Sequence, residues 1–159
     1  MDIVTKESLI NFATSFIIDE LLDITLEKRS PTTWVIFSSG QCLNKEGEWD
    51  YERTPSNRTD EYIASTRFNS IEEAVDFYLR WRSQFYLFVL KGKHDRRWVC
   101  WCQSKNLEEC EASWEYSLNK RQVFGRWLIL GPDRSIIKEA KGESGNEIKF
   151  TDFPSGKII

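Results

Sequence analysis

Three times along this chain, two short runs of β-branched and aromatic residues flank a polar turn, and a sequence punctuated in that way is held to antiparallel hairpins. The first pair is the run 33–38 and the alternating run 48–52, joined through Asn44, Lys45, Glu46 and Gly47. The second pair, 85–90 and 98–102, flanks the charged tip 91–97. The third, 123–130 and 134–140, flanks Gly131, Pro132 and Asp133, a good turn sequence. Two further strands are expected: 61–68, where Tyr62, Ala64, Thr66 and Phe68 alternate, and 147–150.

Helical spacing recurs in three places. Over 6–28, Ile10, Ala13, Ile17, Leu21 and Ile24 fall at steps of three or four, which predicts a long helix with Thr5 as its cap and Ser30-Pro31 as its stop. Over 71–82, Ile71, Ala74, Val75, Tyr78 and Trp81 repeat in the same way behind a capping box of Ser70 and Glu73. A weaker helix is expected over 107–118. No period of roughly 20 to 50 residues recurs and no low-complexity linker divides the chain. The expectation is one α+β domain over 1–159. It has an antiparallel sheet of about five to seven strands on a long N-terminal helix and one or two others, with a C-terminus frayed from position 154.

Charge and composition narrow the function classes. Net charge is −3, so the field of the whole protein repels a nucleic-acid backbone unless the basic residues gather on one face. No run of about 18 apolar residues could span a bilayer, and the start Met-Asp-Ile-Val lacks the features of a secretory signal, which points to the cytoplasm and no membrane. Cys42, Cys100, Cys102 and Cys110 are then reduced thiols.

Zinc is the sharpest chemical candidate, on His94, Cys100, Cys102 and Cys110. Cys-Trp-Cys in a regular strand would send both sulfurs the same way about 6.6 Å apart, too far for comfortable chelation, so no metal and no cofactor is expected. A cysteine or serine nucleophile would have to use His94, the single histidine, placed on a hairpin tip with nothing to orient it. The carboxylates Glu46, Glu48, Asp50 and Glu52 read as a solvated sheet edge opposite Trp49 and Tyr51. No nucleophile elbow or phosphate-binding glycine loop occurs, so no catalytic residue is assigned, and an enzyme of unrecognised type stays a minor alternative.

Aromatic residues make up 14% of the chain, and aromatics with arginine are the residues that interface centres concentrate. The expected function is therefore a small non-enzymatic protein-binding or regulatory domain, in the manner of an inhibitor or immunity protein. Its contacts would come from Trp49, Tyr51, His94, Arg96, Arg97 and Trp101, and it could pair with a second copy through the 6–28 helix or a sheet edge. The alternative is a single-stranded nucleic-acid binder with cations and rings on one face, drawn from Arg80 to Arg82, Lys91 to Trp101, and Lys120 to Trp127.

Overall fold

The computed structural model describes residues 14–92, 95–120, 124–143 and 157–158. The chain divides into two compact units, Met1–Tyr78 and Leu79–Ile159, and the division falls inside a helix. Each unit is built on its own antiparallel sheet of five strands, where the sequence predicts one sheet. No helix among the described residues is long and apolar enough to cross a membrane.

The first unit is a meander, β1 (Ser15–Asp19), β2 (Ile24–Ser30), β3 (Thr33–Ser38), β4 (Gln41–Leu43) and β5 (Trp49–Tyr51), each strand pairing with the next. The predicted helix over 6–28 is overturned from residue 14 onward, its first part lying outside the described residues. The apolar positions there fit both periods, but Ile17, Ile18, Ile24 and Thr25 are β-branched, and such residues lose side-chain freedom in a helix and pack well on a pleated surface. A turn separates the two strands: the Leu22 amide donates to the Asp19 carboxylate at 3.2 Å, and Asp23 takes φ 52°. From β2, Ile24 and Leu26 are fully buried while Thr25 and Glu27 are half-exposed, the alternation of a strand.

The hairpin over 33–53 is present with one strand more than expected, since β4 pairs with β3 before Asn44 turns the chain into β5. Asn44 makes that turn itself: its Oδ1 accepts from the amides of Glu46 (3.0 Å) and Glu48 (2.9 Å), and its Nδ2 donates to Asp50 at 2.7 Å.

The expected strand 61–68 is instead α1 (Asp60–Thr66). Thr59 caps it by accepting from the Tyr62 amide at 3.2 Å, and Asp60 and Glu61 place negative charge in its first turn. Tyr62 and Thr66, spaced by four, are its buried residues, and Tyr62 packs with Val35 and Cys42. Strand character survives only at Phe68, which exchanges two backbone hydrogen bonds of 2.8 Å with Trp34. Thr59→Ala should cost about 1 kcal/mol of stability, read as a fall in the urea midpoint with the slope of the transition unchanged.

α2 (Ile71–Arg82) forms as predicted. The Ser70 hydroxyl accepts from the Glu73 amide at 3.1 Å, and the Glu73 carboxylate reaches back one residue further than a capping box requires, to the Asn69 amide. In the first unit Phe77 meets Phe68, and the Tyr78 hydroxyl donates to Asp19.

The second unit holds β6 (Tyr86–Lys91), β7 (Val99–Ser104), α3 (Leu107–Lys120), β8 (Phe124–Leu130), β9 (Ile136–Glu143) and β10 (Lys157–Ile158), with sheet order β10-β7-β6-β8-β9. Both expected hairpins and the expected helix are there, while the predicted strand at 147–150 lies outside the described residues. One face of the sheet packs Phe88, Leu90, Val99, Trp127 and Ile129 against Cys110 and Trp114 of α3. Phe88 lies 5.2 Å from Trp114 and 5.5 Å from Trp127, ring centre to ring centre, and the two indoles meet edge-on at 5.6 Å. The other face carries Leu87, Val89, Cys100, Leu128 and Leu130, also buried.

Candidate functional site

In the first unit, the end of β5 carries an ion-pair cage. Glu52, expected in solvent, is 11% exposed and accepts from Arg67 (2.5 Å), Arg58 (2.9 Å) and Arg29 (3.4 Å). Arg67, which follows α1, is itself 5% exposed. Burial alone would push the Glu52 carboxyl up, but the Arg67 hydrogen bond and charge, with Arg29 and Arg58 behind it, hold it below its ordinary value. Beside the cage, the Tyr62 hydroxyl donates to the Tyr51 carbonyl (2.8 Å), accepts from the Arg53 amide (3.1 Å) and lies 3.2 Å from the Cys42 sulfur. Burial raises both the Cys42 thiol and the Tyr62 phenol. The group is thus a carboxylate kept ionised by its arginines beside a thiol and a phenol kept protonated, a set that holds β5 to α1.

Outward from Tyr62 opens a polar cavity of about 430 Å³ lined among others by Asn44, Asp50, Arg53, Glu61 and Ser65. On the same edge strand Tyr51 is 80% exposed and Trp49 half-buried, two positions apart and so on one face. The alternation in the sequence correctly marks β5 as an edge, and it is Glu52 that turns inward while Tyr51 meets water.

The tip of the second unit has the opposite sign. Lys91 of β6 stands directly across from Arg126 of β8, which stands directly across from Lys141 of β9. Trp98 lies under two of them, its ring centre 5.7 Å from the Lys91 nitrogen and 5.9 Å from the Arg126 guanidinium. Arg96 and Arg97 are exposed at the turn. His94 lies outside the described residues. Glu139 pairs with Arg126 at 2.8 Å and with Lys141 at 3.5 Å, and the Arg126 hydrogen bond is the main reason its carboxyl sits below its ordinary value.

Trp101 does not join this group. It packs, half-buried, with the Phe88, Trp114 and Trp127 cluster, because the pairing of β6 with β7 shifts between Phe88 and Val89: Phe88 opposes Cys102 and Val89 opposes Cys100. A bulge at Trp101 therefore puts Cys100 and Cys102 on opposite faces, and the expected parallel pair of sulfurs is replaced by Cys102 facing α3. Of the rings in the predicted stacking face, Trp81 and Trp127 are buried, leaving Trp98 and Trp101 partly exposed. Among the described residues no three His, Cys, Asp or Glu side chains converge as a metal site would need.

Lys91 and Arg126 belong to the cationic face expected from the sequence, whereas Lys141 and the alignment of the three do not, because the row is set by strand register and nothing local spells register. Comparison with family models, curated proteins and solved structures finds no match for this chain.

Proposed function

We propose that the protein is a non-enzymatic binding module of the cytoplasm that engages an acidic protein surface through the basic tip of its second unit. The row Lys91, Arg126 and Lys141 carries the proposal. Like charges directly opposite one another cost a sheet stability, and here one carboxylate, Glu139, serves two of the three cations. Such a row is a poor way to hold strands together and a good way to concentrate positive potential beside a partly exposed indole, the pairing that interface centres favour. The edge bearing Trp49 and Tyr51 supplies an acidic, aromatic surface for a second contact. Four free thiols suit a reducing compartment.

Pull-down from the native host with wild type and an Arg96→Glu, Arg97→Glu variant tests this reading. Partner recovery should fall roughly tenfold or more in the variant and should weaken with added salt. Equal recovery from both would remove the tip from the interface. Trp98 between two cations favours single-stranded nucleic acid as the second reading, and for that reading filter binding should show a log affinity falling with log salt by about 0.7 per phosphate contacted.

A further inference from the structure

The junction between β7 and α3 places two thiols in reach of each other. Cys102 is half-buried on β7, and Cys110, in the first turn of α3, has no exposed surface. Their sulfurs are 3.7 Å apart. The bulge at Trp101 turns Cys102 toward the helix, and the start of the helix is fixed by Ser104, whose hydroxyl accepts from the Asn106 amide at 3.0 Å and donates to Glu109. Both partners are thus held by the local backbone, and forming the bond asks the sulfurs to close from 3.7 Å to about 2 Å.

We infer that Cys102 and Cys110 form a reversible intramolecular disulfide by exchange with a low-molecular-weight disulfide such as oxidised glutathione. The Cys102 thiolate attacks one sulfur of the oxidant, forming a mixed disulfide and releasing one thiolate, which takes up a proton. The Cys110 thiol then gives up its proton, and its sulfur attacks that of Cys102, forming the protein disulfide and releasing the second small thiol. Two protein thiols are oxidised and one small disulfide is reduced to two thiols.

The order of attack follows from exposure, since only Cys102 of the two meets solvent. Chemistry agrees. Cys110 donates its S–H toward the Cys102 sulfur, and this hydrogen bond holds Cys102 below the ordinary value for a thiol while the same contact and burial push Cys110 up. Cys42 is fully buried with Tyr62 as its hydrogen-bond partner, and Cys100 lies on the opposite face of the sheet, so neither competes.

The full chain, incubated with oxidised glutathione and then mapped by peptide mass spectrometry, tests the inference. Wild type should lose two of its four titratable thiols and yield one peptide pair linked through Cys102 and Cys110, reversed by dithiothreitol. The thermal midpoint of the oxidised form should rise by about 5 °C. Cys110→Ala should stop at a glutathione adduct on Cys102, while Cys102→Ser, a change at the more exposed position, should leave three free thiols. Wild type that keeps all its thiols, or a bond that includes Cys100, overturns the proposal. The readout is independent of any partner, so its failure is separable from failure of the binding reading.

Discussion

Replacing Glu52 by alanine is expected to lower the stability of the first unit by about 3–5 kcal/mol, the range seen when one member of a buried ion pair is removed. The loss comes from what is left behind. Arg67 is 5% exposed, and without Glu52 its guanidinium keeps its charge with its nearest carboxylate gone. Arg29 already pairs with Glu27 at 2.9 Å and keeps that partner, so Arg67 bears most of the damage. Glu52→Gln keeps the shape and one acceptor and should lose about 2 kcal/mol. A double change of Glu52→Leu with Arg67→Met should recover much of the loss, because removing both buried charges also removes their desolvation.

The same cage sets an acid limit. The folded protein holds the Glu52 carboxyl below its ordinary value of 4.5, so between the two values the unfolded chain binds the proton that the folded chain refuses. The contribution is therefore complete above the ordinary value and fades as pH falls through the folded one. Urea midpoints measured from neutral pH downward should show wild type losing its advantage over Glu52→Gln on acidification. Parallel curves across that range would show that the cage does not carry the charge.

The hairpins were legible because their signals are local: Asn44 to Gly47 and Gly131 to Asp133 are turn chemistry, and the runs beside them are short and β-branched. Two elements were misread, each for a nameable reason. Between 14 and 28 the apolar residues satisfy helical and strand periods together, and β-branching with the Asp19 turn decides for strands. At 60–66 the alternation of Tyr62, Ala64 and Thr66 masks a cap and an acidic first turn that Thr59, Asp60 and Glu61 spell plainly. Of the residues expected to make contacts, Tyr51, Arg96 and Arg97 are exposed, while Trp101 is half-buried against the Phe88 cluster through a bulge that no local pattern announces. The Glu52 cage gathers arginines from β2, from the turn before α1 and from the end of α1, and such a set appears only once the chain has folded.

Gly125→Ala is the second large effect. Gly125 sits at φ 62°, a conformation that costs any other L-residue about 1–2 kcal/mol. A Cβ there would also lie 2.0 Å from the Lys91 carbonyl oxygen and 2.7 Å from the Gly92 Cα, both backbone atoms with no side chain to swing aside. β6 and β8 must then part where Lys91 faces Arg126, and with the pairing lost there the total should reach about 3 kcal/mol. Gly40→Ala is the control, since Gly40 has φ 80° with nothing within 4 Å of its Cβ position, so that only the conformational cost applies. Urea midpoints should rank wild type above Gly40→Ala and Gly40→Ala above Gly125→Ala. Because Lys91 and Arg126 face each other beside that close approach, the binding reading proposed above expects Gly125→Ala also to weaken partner capture under conditions where the variant is still folded, and an unchanged midpoint would mean that the strands do not meet so closely there.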